Sequence, residues 1–381
     1  MAEIIFWGSL SLLLYTYIGY PLVLLLLAGF KRASPQPDVP DSWPTVSILV
    51  AAHNEESVIR GRIENLLELD YPRDRLEIFI VSDASTDQTE TIVSEFTARG
   101  VTLLARNKRE GKTAALNFAC LRAKGEILVF TDANGIFHKD AIKILARHFA
   151  NPRVGCVSGE LRYSDPSNGA AHQGEGLYMR YDGWVKKLES ALGSVVGAYG
   201  GIFAFRREFF QPMDTMVPVD LEIPLQVLRK GHEVVYAPSA VSLEPAAPRV
   251  GIEFSRHARI NARTFYSMSR WLGYLLHPLR PFVLFQFASK KLLRWASPFL
   301  VVTLMVIPFL VDGGLFALLR LAVGLFLLTA AIGAALYRMG KPRPLFSFAL
   351  HFLVGNAAVA WGLVTLLSGR QGATWSVARE S

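Results

Sequence analysis

A long apolar run at the start of the chain constrains the fold more than any other feature. No charged residue occurs from Ile4 to Phe30, and Lys31 and Arg32 follow directly. A helix needs about 20 apolar residues to cross the hydrocarbon core of a bilayer, so this run is long enough to span it. A cleaved signal peptide is the competing interpretation. It is disfavoured because Glu3 stands where such peptides carry basic residues and because the run is too long. We therefore expect a retained membrane anchor.

Three further apolar segments near the C-terminus predict membrane helices. They are residues 295–311, 315–337 and 345–367. Apolar residues make up 51% of the chain and charged residues only 19%, as expected for a protein with several membrane segments. Short basic clusters flank the segments: Lys290, Lys291 and Arg294 before the first, and Arg338, Lys341 and Arg343 between the second and third.

The basic clusters also predict the orientation of the chain. By the positive-inside rule, these clusters and the pair Lys31/Arg32 lie in the cytoplasm. The middle of the chain is then cytoplasmic, and the protein is expected in the cell (inner) membrane. The tail after the last segment would end on the outside, although Arg370 and Arg379 argue against that side.

Charge and cysteine content narrow the classes of partner. The net charge is +8, but the basic residues cluster beside the membrane segments. Anionic lipid head groups and a phosphate-bearing substrate explain this pattern better than nucleic acid does, so we expect membrane lipids and no nucleic acid as partners. The sequence identifies no protein partner. Cys120 and Cys156 lie in apolar surroundings and are expected to be buried thiols, not a disulfide or a metal site.

The middle of the chain predicts a parallel α/β sheet. Residues 33–45 are rich in proline and are expected to be a linker. Short apolar runs at 46–52, 76–81, 101–104 and 127–131 then alternate with helical patterns at about 55–69, 88–98 and 112–122. Alternating strands and helices form parallel sheets covered on both faces. Ligands of such sheets bind beyond the carboxyl ends of the strands, where Asn54, Glu55, Asp83 and Asp132 fall.

Two motifs in this region are candidates for binding a nucleotide. Asp83 follows a buried strand, where a base or ribose would lie, although a solvated turn is an equal alternative. Asp87, four residues on, is better explained as a helix N-cap. Lys112 follows Gly111 at a predicted helix start, where free backbone N–H groups suit phosphate binding. A solvated basic turn remains the alternative for Lys112.

Two acidic segments are candidates for the chemistry. Asp132 and Asn134 end the most apolar strand and could hold a divalent cation, because such ions need few protein oxygens when substrate phosphates supply the rest. An ordinary turn explains the same tetrapeptide. Asp220 precedes an amphipathic helix with Glu222 in its first turn, and could be an N-cap or the general base that takes a proton from an acceptor.

A basic amphipathic helix is predicted just before the C-terminal membrane segments. Arg256, Arg259, Arg263 and Arg270 are spaced so that they share one helical face, with aromatic and aliphatic residues around them. Such a helix is typical of a membrane interface. A solvated arginine face is the alternative.

Taken in order, these motifs resemble family 2 of the glycosyltransferases, especially the membrane-embedded members that build exopolysaccharides and hyaluronan-, chitin- or cellulose-like chains. The resemblance covers nearly the whole chain. The matching segments are residues 18–21 (IGYP), 51–55 (AAHNE), 83–87 (DASTD), 111–112 (GK), 115–117 (ALN), 131–134 (TDAN), 189–190 (ES), 200–207 (GGIFAFRR) and 220 with 223–225 (IPL).

The resemblance implies a GT-A fold and a role for each matching residue. Donor contacts are expected from Ala52, Asn54, Glu55, Asp83, Lys112 and Asp132, with Asp83 on the nucleobase and Asp132 on the metal. Gly200, Gly201 and Arg206 match the acceptor segment. Asp220 matches the last acid of the family's acidic pair and is expected to be the base, while Val219 replaces the first acid. Processive members carry a Gln-x-x-Arg-Trp signature. Here Arg256 and Ile260 replace its Gln and Trp, and Arg259 alone matches.

The sequence therefore predicts an inverting, metal-dependent family 2 glycosyltransferase of the hexosyltransferase class. It would move sugar from a nucleotide-sugar, expected to be a UDP-sugar, to a lipid-linked or glycan acceptor in exopolysaccharide or cell-envelope synthesis. The cofactor is Mg²⁺ or Mn²⁺, bound by Asp132 and Asn134, and Arg256 and Arg259 would contact phosphates or the interface. Two alternatives remain: a non-catalytic membrane nucleotide-binding platform, and a nucleotidyltransferase acting on a lipid phosphate.

The predicted domain boundaries follow from these assignments. The fold is an α/β GT-A-type (Rossmann-like, mostly parallel sheet) cytoplasmic domain with α-helical transmembrane segments at both ends. The predicted parts are an anchor at 1–32, a linker at 33–45, the GT-A domain at 46–250, interfacial helices at 251–290, three membrane helices at 291–368 and a tail at 369–381.

Overall fold

The computed structural model describes residues 1–31, 40, 42–163, 170–245, 250–277, 280–341, 343–369 and 372–374, with 170–178 and 250–253 described by backbone alone. Most of the predicted linker, together with Arg370 and Arg379, lies outside the described residues.

The chain divides into two compact units. The helical unit contains Met1–Phe30, Asp165–Tyr181 and Ala247–Arg370. The catalytic unit contains Lys31–Ser164, Asp182–Ala246 and Gln371–Ser381. Among the described residues, two ranges fall outside the predicted boundaries. Residues 170–181 lie in the helical unit, although they are inside the predicted GT-A range, and residues 372–374 of the tail lie in the catalytic unit.

An eight-stranded mixed sheet is the centre of the catalytic unit. Its strands are β1 Val46–Ala52, β2 Leu76–Asp83, β3 Val101–Arg106, β4 Ile127–Asp132, β5 Ile136–Phe137, β6 Val154–Tyr163, β7 Phe203–Arg206 and β8 Glu233–Glu244. Their order across the sheet is β3-β2-β1-β4-β7-β6-β8-β5. The first four strands in this order, β3, β2, β1 and β4, are parallel to one another, as predicted. β7 is antiparallel to both β4 and β6, so the second half of the sheet is mixed.

Eleven helices are present in the described residues. In chain order they are α1 Ala2–Gly29, α2 Ile59–Leu67, α3 Thr89–Ser94, α4 Lys112–Cys120, α5 Ala141–Arg147, α6 Ala170–Leu192, α7 Val219–Arg229, α8 Val250–Leu275, α9 Pro281–Phe309, α10 Gly314–Arg338 and α11 Pro344–Leu367. The apolar runs explain the core: all seven residues of β1 are buried, as expected for a strand covered on both faces. Cys120 and Cys156 are buried free thiols, as predicted.

Four helices are long and apolar enough to cross a membrane: α1, α9, α10 and α11. The predicted start of the second span was wrong. The helix begins at Pro281 rather than near Trp295, so the basic residues at 290, 291 and 294 lie within it, and the interfacial range is shorter than predicted. A π-helical segment, Phe287–Leu292, carries Lys290 into the protein, where its side chain is almost fully buried.

The helical unit is held together by apolar contacts with a few buried polar ones. The rings of Phe6 in α1 and Phe316 in α10 meet edge to face at 5.6 Å. The hydroxyl groups of Tyr15 and Ser289 lie 2.8 Å apart. Hydrogen bonds between polar side chains contribute to helix association where water is absent.

Candidate active site

Three parallel strands end at the same edge of the sheet and bring the predicted donor residues together. In the β1–β2 and β1–β4 registers, Ala52 is level with Ser82 and Ala51 with Asp132. The loops after β1, β2 and β4 therefore lie together at the carboxyl edge of the sheet, the region called the cleft below, where ligands of such sheets bind.

Residues after β1 tie this loop to the loop after β2. Asn54 has a positive φ of 54°, a conformation that asparagine adopts more readily than most residues. Its side-chain oxygen accepts the backbone N–H of Thr86 at 2.8 Å. The N–H of Glu55 donates to the hydroxyl of Thr89 at 2.8 Å. Ala52 is fully buried, so any donor contact there would use its backbone.

Asp83 is fully buried and organises the loop that follows β3. Its Oδ1 accepts Nη1 of Arg106 at 2.5 Å and the N–H of Glu110 at 3.1 Å. Its Oδ2 accepts the N–H of Gly111 at 2.7 Å. These contacts hold the loop between β3 and α4 against the end of β2. The contact between Asp83 and a nucleobase stays a prediction.

Gly111 is the residue immediately before α4, and two constraints require glycine there. Its φ is 96°, which side chains rarely tolerate. A Cβ atom at this position would also overlap the backbone carbonyl of Ala373, so residues 372–374 of the tail lie against this loop. The side of the membrane on which the tail lies stays a prediction.

Lys112 begins α4 and forms an ion pair with Asp132, the last residue of β4. The Asp132 side chain is 35% exposed, so it remains accessible to a ligand. The helix begins at Lys112 as predicted, and phosphate binding by its first backbone N–H groups stays a prediction.

The donor set around Asp132 fits a metal ion that is held largely by substrate. No group of three or more histidine, cysteine or acidic side chains is placed to hold a metal within the described parts of the chain. Asp132 provides one accessible carboxylate, and half-exposed Asn134 follows in the turn. A divalent cation bound here would complete its shell with diphosphate and water oxygens.

A glycine turn contacts both the end of β4, which carries Asp132, and Asp220. Tyr199 and Ile202 form an isolated antiparallel bridge, with Gly200 and Gly201 between them. The hydroxyl of Thr131, adjacent to Asp132, donates to the carbonyl of Gly201 at 2.8 Å.

On the other side of this turn, a Cβ atom on Gly200 would lie 3.3 Å from Oδ2 of Asp220. The carbonyl of Asp220 accepts the N–H of Ala198 at 2.7 Å. Asp220 is the second residue of α7, whose N-cap is Pro218, so the N-cap alternative for Asp220 is wrong.

Arg206 is not brought to this cleft. Because β7 is antiparallel to β4, Arg206 pairs with Ile127 at the opposite end of β4 from Asp132. Five residues of strand separate the two ends by roughly 16 Å. The Arg206 guanidinium donates to the carbonyls of Val154 and Phe149. The expected acceptor role of Arg206 therefore disagrees with its position.

Arg256 and Arg259 lie on α8 in the helical unit. Ala258, Ala262, Phe265 and Met268 form the buried stripe of this helix, and the arginines lie on its other side. Burial lowers the pKa of Arg259, and the positive charge of Arg256 lowers it further. The predicted amphipathic character is present, and contact with phosphate stays a prediction.

Two charged residues near the cleft were missed by sequence analysis. Arg62 interrupts the apolar repeat of α2, formed by Ile59, Ile63 and Leu66. Glu244 ends β8 as Asp132 ends β4. Two features of the sequence could have located them: an arginine at a core position of a helical repeat, and an acid at the end of a strand.

Comparisons with known proteins bear on this site. Residues 47–213 match the model of glycosyl transferase family 2. The probable glycosyltransferase YdaM of Bacillus subtilis is 27% identical over 263 residues, covering 64% of this chain and 62% of that protein. The β-monoglucosyldiacylglycerol synthase of Nostoc sp. is 31% identical over 198 residues, covering 51% and 42%. The match thus spans less than two thirds of these relatives.

Two further likenesses extend the comparison. The poly-β-1,6-N-acetyl-D-glucosamine synthase of Staphylococcus epidermidis is 26% identical over 202 residues, covering 51% of this chain and 48% of that protein. Among solved structures, the mannosyltransferase PcManGT of Pyrobaculum calidifontis, in complex with GDP-Man and Mn²⁺, superimposes with a TM-score of 0.72. It covers 97% of this chain and 100% of that one at 24% identity, which is a likeness of fold.

Proposed function

We propose a reaction for this chain, whose residues 47–213 match glycosyltransferase family 2 and whose fold resembles GT-A. The chain transfers a sugar, with inversion, from a nucleotide-sugar to a lipid-linked or glycan acceptor. The reaction takes place at the cytoplasmic face of the cell membrane and serves exopolysaccharide or cell-envelope glycan synthesis. A UDP-sugar is the first donor to test.

The observation that carries this proposal is the glycine turn between the two acids. Thr131 next to Asp132 contacts Gly201, and Gly200 packs against Asp220. An inverting transfer needs the donor diphosphate on one side of the anomeric carbon and a base for the acceptor on the other. A two-residue turn that contacts both Thr131, next to Asp132, and Asp220 supports such an arrangement.

Asp220 is the proposed general base. Its carboxylate takes the proton from an acceptor hydroxyl as the oxygen bonds to the anomeric carbon. The bond between that carbon and the diphosphate oxygen breaks, and the electron pair leaves with the nucleoside diphosphate. Positioned general bases contribute about 10²–10⁴-fold to rate.

Lys112 and the first turn of α4 are proposed to bind the diphosphate. The N–H groups at the start of a helix favour anions, and a lysine there adds a positive charge. Asp132, assisted by Asn134, would hold Mg²⁺ or Mn²⁺, which supplies neutralisation of charge on the leaving diphosphate when bound. The mannosyltransferase with a similar fold was solved with Mn²⁺, which supports testing that ion first.

The class of acceptor is proposed from the relatives and from the apolar helices. The names of two relatives describe synthesis of a glycolipid and of a polysaccharide. Four helices able to cross a membrane associate this chain with the bilayer. A lipid-linked or growing glycan acceptor is accessible to an enzyme held in that position.

Release of nucleoside diphosphate from a panel of nucleotide-sugars, with membrane lipid extract as acceptor, tests the proposal. The parent enzyme should release diphosphate with one donor, whereas Asp220→Asn should reduce turnover about 100-fold or more while retaining donor binding. Asp140→Asn, an exposed acid before α5, is the matched control. Release of pyrophosphate would indicate a nucleotidyltransferase. Binding without any turnover would indicate a non-catalytic platform.

A further inference from the structure

We infer that Arg62 is a positioning residue that couples the donor and acceptor halves of the site, an inference that rests on the proposed function. Its side chain is only 1% exposed, on the core face of α2. Burying a charged group is costly, and a well-packed apolar side chain in its place is often neutral or stabilising. Stability alone therefore gives no reason for an arginine at this position.

The guanidinium of Arg62 is held in one orientation. Nη1 donates to Oδ1 of Asn65 at 2.9 Å, and the guanidinium lies over the ring of Phe137 at 4.2 Å. Asn65 is itself fixed, because its side chain bonds both the N–H and the carbonyl of Phe137 at 2.9 Å. The planar arginine fork suits such a fixed arrangement better than a flexible ammonium group would.

The second amino group connects Arg62 to the catalytic cleft. Nη2 donates to the hydroxyl of Thr131 at 2.6 Å, and that hydroxyl donates its own hydrogen to the carbonyl of Gly201 at 2.8 Å. A hydroxyl has one hydrogen, so accepting from Arg62 directs that hydrogen to Gly201. The three residues form a buried relay of hydrogen bonds. The relay fixes Thr131, the chain neighbour of Asp132, relative to Gly201, the chain neighbour of Gly200. The relay thereby sets the turn against which Asp220 packs.

Two carboxylates stabilise the charged form of Arg62. Burial lowers the pKa of Arg62 to about 9, and the carboxylates of Glu244 and Asp132 oppose that shift. The guanidinium thus stays charged at neutral pH. Glu244 lies so close to Gly201 that a Cβ atom there would overlap its carboxylate. The hydrogen bonds of Arg62 therefore orient the turn, and both carboxylates stabilise its charge.

The first test is a set of single variants assayed for kcat and donor KM. Arg62→Met keeps the volume and loses the relay. Because a misplacement of about 1 Å at a reacting centre can cost about 100-fold, kcat should fall by roughly that factor. Donor KM should change less than about threefold, since binding of the ground state is not the interaction removed. Arg60→Met on the same helix, where Arg60 is 48% exposed and paired with Glu95, should leave both constants unchanged.

Substitutions of Thr131 distinguish a positioning role of Arg62 from a purely structural one. Thr131→Val removes the hydroxyl and should reproduce the loss in kcat, whereas Thr131→Ser keeps the hydroxyl and should restore it. The double variant with Arg62→Met should be no slower than the worse single variant within about twofold, because both break one relay. A Thr131→Val enzyme with parental kcat, or multiplicative losses in the double variant, would overturn the inference.

Failure of the proposed function gives a different result. If the parent enzyme transfers sugar from no donor, the proposed function fails while the relay can still be measured. The melting temperatures of the single and double variants then report whether Arg62 and Thr131 act together. Additive shifts in melting temperature would overturn the relay, and a double variant no less stable than the worse single variant would support it.

Discussion

The ammonium group of Lys112 pairs with the carboxylate of Asp132 across the cleft of the catalytic unit. One is the first residue of α4 and the other the last residue of β4. In the proposed function both act on the donor diphosphate, Lys112 directly and Asp132 through a cation. In the structure they pair with each other. We therefore predict that a metal ion bound at Asp132 would compete with Lys112 for the same carboxylate.

This competition predicts an increase in metal affinity when the lysine is removed. Lys112→Met should bind Mn²⁺ more tightly in the absence of donor, by roughly fivefold, because a nearby cation in a partly exposed site opposes metal binding by about 1 kcal/mol. Donor KM should rise at the same time, since a phosphate contact is lost. Mn²⁺ titration followed by electron paramagnetic resonance measures the first effect. Lys108→Met, 81% exposed on the same loop, is the control. Unchanged or weaker Mn²⁺ affinity in Lys112→Met would contradict the competition.

The two glycines of the turn should respond differently to alanine. At Gly201 a Cβ atom would overlap the Glu244 carboxylate and lie 3.0 Å from Leu161, so Gly201→Ala should destabilise the catalytic unit by about 1–3 kcal/mol. At Gly200 the nearest atom is Oδ2 of Asp220 at 3.3 Å, so Gly200→Ala should fold and lose kcat by displacing that side chain. Thermal unfolding and steady-state kinetics of both variants check this. Equal effects of the two substitutions on stability would disagree with the geometry.

The sequence predicts the parallel half of the sheet because each of its strands is a short apolar run that ends in, or is followed directly by, a polar residue. Asp132 and Asp83 could be located for that reason alone. Arg206 could not, because its position depends on the antiparallel register of β7 on β4, which is a non-local pairing that no local pattern encodes. The start of α9 was missed for a related reason: basic residues interrupt the apolar run, and only the three-dimensional packing shows that Lys290 is buried.

Glu160 in β6 should make stability depend on pH. Burial raises the pKa of Glu160 and Asp182 raises it further, while the cations Arg162 and Lys186 oppose the shift. Between about pH 4.5, where Glu160 ionises in the unfolded chain, and its higher folded pKa, Glu160 is protonated in the folded state and ionised in the unfolded state. The stability that this proton contributes is present below the unfolded pKa and is lost as pH rises through the folded one.

Glu160→Gln cannot ionise, so its melting temperature relative to the parent should increase from pH 5 to pH 8. Glu64→Gln, an exposed residue of α2, should show a difference that is constant with pH. Thermal unfolding of the three proteins across this range is the measurement. A Glu160→Gln difference that stays constant or falls with pH would be inconsistent with a raised pKa.

The contact between Gly111 and Ala373 predicts the side of the membrane on which the tail lies. Because the backbone of residue 373 packs against the catalytic loop, the tail and the catalytic unit must share one side. Three complete crossings by α9, α10 and α11 would put the tail on the other side. From this contact we predict that one of these three apolar helices does not cross completely.

Labelling of single cysteines with a membrane-impermeant maleimide measures the side directly. Thr374→Cys in the exposed tail should react in inside-out vesicles and not in intact cells, with the same sidedness as Lys108→Cys in the catalytic unit. The native Cys120 and Cys156 need not be replaced, because burial raises the pKa of both thiols and slows their reaction. Labelling of Thr374→Cys in intact cells, with Lys108→Cys protected there, would instead mean three full crossings and would exclude the tail from the loop at Gly111.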